Sequence, residues 1–230
     1  MKKSNKKNES EKIRVLFMGS GTFGSAVLEA LLSFCDAEDN WHLAGVVTNP
    51  DRPAGRGKKE TPTPVKHTLL QHLTKQPDSQ IELFQPNTIA PESKKVLAAV
   101  QPDLILVADY GQFIPLSILK YPRFRCLNVH PSLLPDLRGA TPIQSAILLG
   151  REKTGVSIQI MSEEMDAGDI IGQQTFDLPA GVNSAELEAR LSNLARTMLP
   201  EVLKRWTTGE IEPRPQRHAD ATFCYAKDFS

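Results

Sequence analysis

No run of apolar residues in this chain is long enough to span a bilayer, and its first twelve residues, MKKSNKKNESEK, lack the apolar core of a secretory signal. Both observations argue against a membrane or secreted protein. Cysteine is scarce: Cys35, Cys126 and Cys224 are an odd number without a C-x-x-C pair, so neither a disulfide framework nor a structural zinc site is indicated. A reducing cytosol suits such a chain. Net charge is missing as well, with 27 basic residues against 27 acidic ones, and the charge total selects no partner. Positive charge is instead local, in the opening tail and in DRPAGRGKK at 51–59. Internal repeats are absent.

What is present is an alternation of short apolar runs with helical patterns over 230 residues, the composition of a soluble globular chain with one large domain. IRVLFMG, HLAGVVT, IELFQ, DLILVAD and CLNVH read as strands, separated by amphipathic segments. This predicts an α/β fold: an open, twisted, mostly parallel sheet with helices on both faces. DLILVAD is apolar on both alternating faces and belongs at the centre. TGVSIQIM and IIGQQTFDL add a mixed edge. In NSAELEARLSNLARTMLPEVLKRW, Asn183 caps a helix with Glu186 as its capping-box partner, and Pro200 is expected to kink or interrupt it. The expected organisation is a disordered basic tail over 1–12, one domain over 13–208, and an extended Pro-punctuated tail or linker over 209–230.

The first strand runs into glycines spaced G-x-G-x-x-G: Gly19, Gly21 and Gly24. A dinucleotide site also needs an acidic residue at the end of the second strand, to hold ribose hydroxyls. Thr48 and Asn49 stand there instead, and Asp51 lies beyond the strand. A tight strand-to-helix turn is therefore the better reading, and a nicotinamide-dependent dehydrogenase is disfavoured.

More specific chemistry lies in CLNVHPSLLPDLRGATPI. Asn128 and His130, two apart at the carboxyl end of a strand, project from one face, where open parallel sheets collect their ligands. A loop stiffened by Pro131 and Pro135 follows, and EEMDAGDII then brings Asp166 and Asp169 around a turn glycine. Each piece alone has an ordinary structural use. Together, an amide donor, an imidazole and a carboxylate are parts suited to holding an oxyanion and moving protons in acyl transfer.

NVHPSLLPDLRGATPIQSAI, followed by TGVSIQIMSEEMDAGDII, resembles the folate-dependent formyltransferases, and TNPDRPAGRGKKETPTPVK resembles the loop that marks the branch acting on methionyl-tRNA. The resemblance runs from about Arg14 to the YAK near the C-terminus. It implies a Rossmann-like catalytic domain that moves the formyl group of 10-formyltetrahydrofolate to the α-amine of methionyl-tRNA, without a metal. It also implies that Asn128, His130 and Asp166 are catalytic. Ser132, Leu133, Leu134 and Pro135 would line the folate pocket, with the backbone near Gln112 and Ile114 meeting the pterin. Arg52, Arg56, Lys58 and Lys59, on a long loop whose glycines and prolines oppose regular structure, would meet the tRNA acceptor arm. A monomer is expected. Members of this branch continue past the YAK into a β-barrel module, so this chain is expected to lack that module. Three alternatives stay open: transfer to a nucleotide sugar, transfer to another small amine such as glycinamide ribonucleotide, or a non-catalytic folate- or RNA-binding module.

Overall fold

A computed structural model describes residues 12–54 and 59–225 of the chain. Its first strand, β1 (Ile13–Gly19), shows how the core is divided. Val15 and Phe17 enter one hydrophobic cluster, while Leu16 and Met18 enter another, as the two-residue period of a strand requires. β6 (Leu104–Ala108) behaves alike: Leu104, Leu106 and Ala108 face the first cluster, Ile105 and Val107 the second. Both strands are buried on both faces, so they belong in the interior of a parallel sheet. Each fully buried Leu or Ile there contributes about 1.5–3 kcal/mol.

The helices complete the two layers. α1 (Thr22–Ala37), α2 (Pro64–Lys75), α5 (Pro142–Leu148) and α6 (Ser184–Thr207) pack on the first cluster; α3 (Ile89–Val100) and the short α4 (Leu116–Leu119) pack on the second. Between them lie β2 (Trp41–Val47), β5 (Glu82–Phe84), β7 (Cys126–His130), β9 (Lys153–Ile160) and β10 (Ile170–Asp177). The seven-stranded order is β10-β9-β7-β6-β1-β2-β5. The five strands from β7 to β5 are parallel, and β9 and β10 turn the edge antiparallel. The expected mixed edge is therefore present.

Two expectations need correction. α6 runs from Ser184 to Thr207 without a break at Pro200. Leu187, Leu191, Ala195, Met198, Leu199 and Leu203 form one buried face on both sides of the proline, and this packing outweighs the one backbone hydrogen bond that proline removes. Asn183 does cap the helix, its side-chain oxygen accepting from Glu186 N at 3.0 Å. The second correction concerns the basic loop, which was expected to be irregular. Its described residues form an antiparallel ribbon, β3 (Arg52–Ala54) with β4 (Lys59–Thr61), in the register Arg52↔Thr61 and Pro53↔Glu60. An isolated two-stranded ribbon has free edges, so Pro53 can lack a donor without breaking a sheet.

The basic tail expected over 1–12 lies, apart from Lys12, outside the described residues, as do 226–230. The described residues after α6 pack along the body and include a single 3-10 turn at His218–Asp220. Arg214 bridges Ile170, and β11 (Phe223–Cys224) pairs in parallel with β8 (Arg138–Gly139). No described helix is long and apolar enough to cross a membrane.

Candidate functional site

Register builds the site. On β7, Leu127 and Val129 point into the first core, and on β9 so do Val156 and Ile158. Asn128 and His130 consequently take the opposite face, beside their partners Gln159 and Ser157 on β9. The turn from β9 to β10 then carries Asp166 back over this polar group, with Asp166 in the left-handed region at φ 51°. Its carboxylate is met by three donors. Asn128 Nδ2 lies 3.1 Å and Gln159 Nε2 2.8 Å from Oδ1, and the Gly139 amide donates to Oδ2 at 2.9 Å. Gly139 sits at φ 119°, where a Cβ would stand 2.2 Å from the Cys224 carbonyl oxygen, so only glycine brings that amide to the carboxylate.

His130 is nearly fully buried, and its Nε2 lies 2.8 Å from the Leu137 carbonyl oxygen. A carbonyl can only accept, which fixes a proton on Nε2. Nδ1 faces Asp166 Oδ2 at 3.7 Å, within ion-pair range yet too long for a hydrogen bond. Both ring nitrogens thus look onto oxygen atoms. The structure therefore brings Asn128, His130 and Asp166 together, as their spacing suggested. Asp169 is not among them; its carbonyl accepts from Ile160 N.

The Ser132–Pro135 segment lies directly beyond His130 and is braced by Ser157. The Ser157 hydroxyl donates to the Ser132 carbonyl at 2.7 Å and accepts from Leu134 N at 3.0 Å. The Ser132 hydroxyl is turned inward to Asp136 O, and Leu134 is buried, which leaves Leu133 and Pro135 partly exposed. Gln112 spends its side chain on the chain itself: Nε2 donates to Asn49 Oδ1 at 2.7 Å and Oε1 accepts from Ile89 N at 2.9 Å. Ile114 packs in the second core. Of the basic residues, Arg56 and Lys58 lie outside the described ones. Arg52 and Lys59 are exposed and share one face of the ribbon, because Arg52 pairs with Thr61 and Thr61 lies two residues from Lys59. The ribbon's base is tied down at Asp51, whose carboxyl is held below its usual range, first by the Lys66 ammonium at 2.7 Å and then by the Gln85 amide.

The glycine turn serves close packing. A Cβ at Gly19 or Gly24 would lie 2.5 Å from the Ala108 carbonyl oxygen, and at Gly21 it would lie 1.8 Å from Asp109 Oδ2. Asp109, at φ 51°, hydrogen-bonds the Gly24 amide and so places a carboxylate at the start of α1, where a bound phosphate would otherwise sit. Its carboxyl is pushed up to about 6, mainly by desolvation and then by Glu188. Thr48 is fully buried and hydrogen-bonds Thr63 and Ser20.

Sequence reasoning missed Ser157, Gln159, Gly139, Asp109, and two residues that reach the site from elsewhere: Arg138, 1% exposed, and Gln216, 5% exposed. The strand pattern held one signal, since Ser157 and Gln159 alternate with Val156, Ile158 and Ile160. Among the described residues, no group of three or more His, Cys, Asp or Glu side chains is placed to hold a metal. Cys35, Cys126 and Cys224 are free, and burial raises all three thiols, Cys35 to about 12.

Residues 11–203 match the family model described as formyl transferase. A methionyl-tRNA formyltransferase of Chloroflexus aurantiacus is 41% identical over 211 residues, covering 91% of this chain and 64% of that protein. One of Thermotoga maritima is 40% identical over 212 residues, with 92% and 64% covered. The chain thus spans about 64% of the length of these curated relatives. Among solved structures, the glycinamide ribonucleotide transformylase 1 of Symbiobacterium toebii superposes with a TM-score of 0.71 at 21% identity, covering 93% of this chain and all of that one. An N-formyltransferase of Helicobacter canadensis, in complex with folinic acid and dTDP-3-aminofucose, gives 0.67 at 16% identity, covering 95% and 72%. These two share the fold.

Proposed function

The chain belongs to the formyl transferase family, and from that premise we propose that it transfers the formyl group of 10-formyltetrahydrofolate to the α-amine of methionyl-tRNA. The observation that carries the reading is the convergence of Asn128 and His130 on Asp166 at the carboxyl edge of the sheet. The similarity to methionyl-tRNA formyltransferases over nine-tenths of the chain supports the acceptor.

When bound, the folate supplies the formyl group and accepts the amine proton as it departs. The chain's own residues then act on charge and protons. Asn128 has two amide hydrogens and spends one on Asp166, leaving the other for the formyl oxygen as that atom gains negative charge. His130 keeps Nε2–H on Leu137 O, and Nδ1–H, which closes no short hydrogen bond, is available to the same oxygen. Donors fixed before reaction cost no reorganisation, and each is worth about 3 kcal/mol of barrier in comparable sites. Asp166, with three of about four lone-pair sites filled, stays an acceptor. It balances the imidazolium and relays the amine proton, through water, to the nitrogen of the departing folate.

The residues expected to hold the folate fit a flat, amphipathic ring system. The Ser132–Pro135 backbone is rigidly braced and presents Leu133 and Pro135. Gln112 is locked by Asn49 and Ile89, so the 110–114 segment offers its backbone. Arg52 and Lys59 on the ribbon would meet tRNA phosphates. Three free cysteines accord with a cytosolic enzyme.

The experiment offers 10-formyltetrahydrofolate with methionyl-tRNA, glycinamide ribonucleotide or a nucleotide-sugar amine, and measures formylated product from each. Formyl-methionyl-tRNA is the expected product. Turnover of either small amine in its place would reassign the acceptor, and no turnover of any would leave a binding module.

A further inference from the structure

Asp166 is held through its backbone as well as its carboxylate, by a side chain fifty residues further along the chain. Gln216 lies on the segment after α6. Its Nε2 is 2.6 Å from the Gly168 carbonyl oxygen, 2.9 Å from that of Asp166 and 3.3 Å from Gln159 Oε1. Its Oε1 accepts from Arg138 Nε at 3.1 Å and from an Arg138 terminal nitrogen at 2.8 Å. The Arg138 side chain is 1% exposed and also meets Glu164 at 3.6 Å and His218 Nδ1 at 3.3 Å.

The direction of every hydrogen bond in this group follows from Arg138. A guanidinium has five donors and no acceptor, so Gln216 must turn its oxygen toward it and its NH₂ toward the Asp166 turn. Two hydrogens then serve three oxygens, the shorter pair being the carbonyls of Asp166 and Gly168, with Gln159 sharing at longer range. A donor facing Gln159 Oε1 leaves the Gln159 NH₂ facing Asp166 Oδ1, where it lies at 2.8 Å. Reversing Gln159 would set a carbonyl oxygen against a carboxylate. A buried cation, two amides and the carboxylate thus have one consistent polarity, with Asp166 as the terminal acceptor.

We propose that Gln216 is a positioning residue for Asp166, oriented by Arg138 and acting both through the Asp166–Gly168 carbonyls and through the flip of Gln159. The role in turnover rests on the formyl-transfer reading above. It gives the segment after α6 a part in the chemistry through Asp166.

The test is Gln216→Glu in the full chain, which keeps side-chain size and an acceptor for Arg138 but removes both donor hydrogens. Formyl transfer to methionyl-tRNA should lose about tenfold or more in kcat, with KM for both substrates little changed, and the melting temperature should fall because a buried acceptor then faces three carbonyl oxygens. Gln216→Asn, too short to reach both sides, should not restore kcat. The Gly139 amide donates to Asp166 Oδ2, so its proton resonance reports carboxylate position without turnover. In Gln216→Glu that resonance should move upfield and its hydrogen exchange should quicken. An unchanged kcat together with an unmoved Gly139 resonance would overturn the proposal. So would a kcat loss matched by an equal fold-change in KM for both substrates, which marks general disruption. If the unaltered chain formylates nothing while the Gly139 resonance still moves, the positioning stands and the formyl-transfer reading fails.

Discussion

Asp109 fills with its own side chain the space over the G-x-G-x-x-G turn, 1.8 Å from where a Cβ of residue 21 would stand. Its carboxyl lies over Gly21 and accepts from Gly24 N, which explains why the glycine spacing alone misleads. The same residue yields a signed pH effect. Desolvation and then Glu188 raise its carboxyl from the usual 3.8 to about 6. The folded state therefore prefers the protonated form, and the stability this group contributes is complete at low pH and lost as pH rises through about 6. Asp109→Asn removes the charge while keeping the acceptor. Its melting temperature should exceed that of the unaltered chain at about pH 7.5, and the gain should vanish near pH 4. A pH-independent difference between the two would remove Asp109 as the cause. Asn128, His130 and Asp166 were legible because a strand's period of two and a glycine turn are local patterns. Ser157 and Gln159 were not, since TGVSIQIM reads equally well as a strand with one wet face, and the 132–135 loop over Ser157 and the Asp166 turn over Gln159 are what dry it.

Elements were more legible than their interactions. The capped start of α6 follows from Asn183 and Glu186, but its passage through Pro200 depends on the buried leucines to either side, which local propensity does not weigh. The basic ribbon shows the opposite failure, for Pro53 and the nearby glycines argued against strands in a place where edge strands tolerate them. Its pleat separates charge, with Arg52 and Lys59 on one face and Glu60 on the other. Reversing both cations, Arg52→Glu with Lys59→Glu, should raise KM for methionyl-tRNA about tenfold or more and flatten its salt dependence by roughly one unit of log–log slope per lost phosphate contact. Folate affinity should not change, and Glu60→Gln should leave both constants near their starting values. An equal loss for the two substrates would mean that the ribbon supports the fold and does not touch tRNA. Of the segment after α6, which carries a 3-10 turn at His218–Asp220 and pairs with β8, only the irregular, Pro-punctuated character was legible. Its docking through Gln216 was not, because a lone glutamine among Pro, Arg and His carries no periodic signal.

At the scale of the whole molecule, the alternation of apolar runs with amphipathic segments was enough to give the layer order, because strands buried on both faces admit few other solutions. The same order gathers the chemistry. β1, β6 and β7 are parallel neighbours, so Gly19, Ala108 and Val129 to His130 end along one edge, and the antiparallel β9 sets Gln159 and Ser157 beside Asn128 and His130. Sites assembled from strand ends in this way tolerate a change of acceptor without a change of sheet, which fits the shared fold of the two solved formyltransferases. The central claim is that fixed donors above this edge lower the barrier to formyl transfer. Single-turnover transfer from 10-formyltetrahydrofolate to methionyl-tRNA, followed for Asn128→Ala beside the unaltered chain, tests it most directly. If Asn128 meets the developing oxyanion, the rate falls by on the order of 10²–10³ with folate affinity preserved; a variant that transfers within a few-fold of the unaltered rate would contradict it.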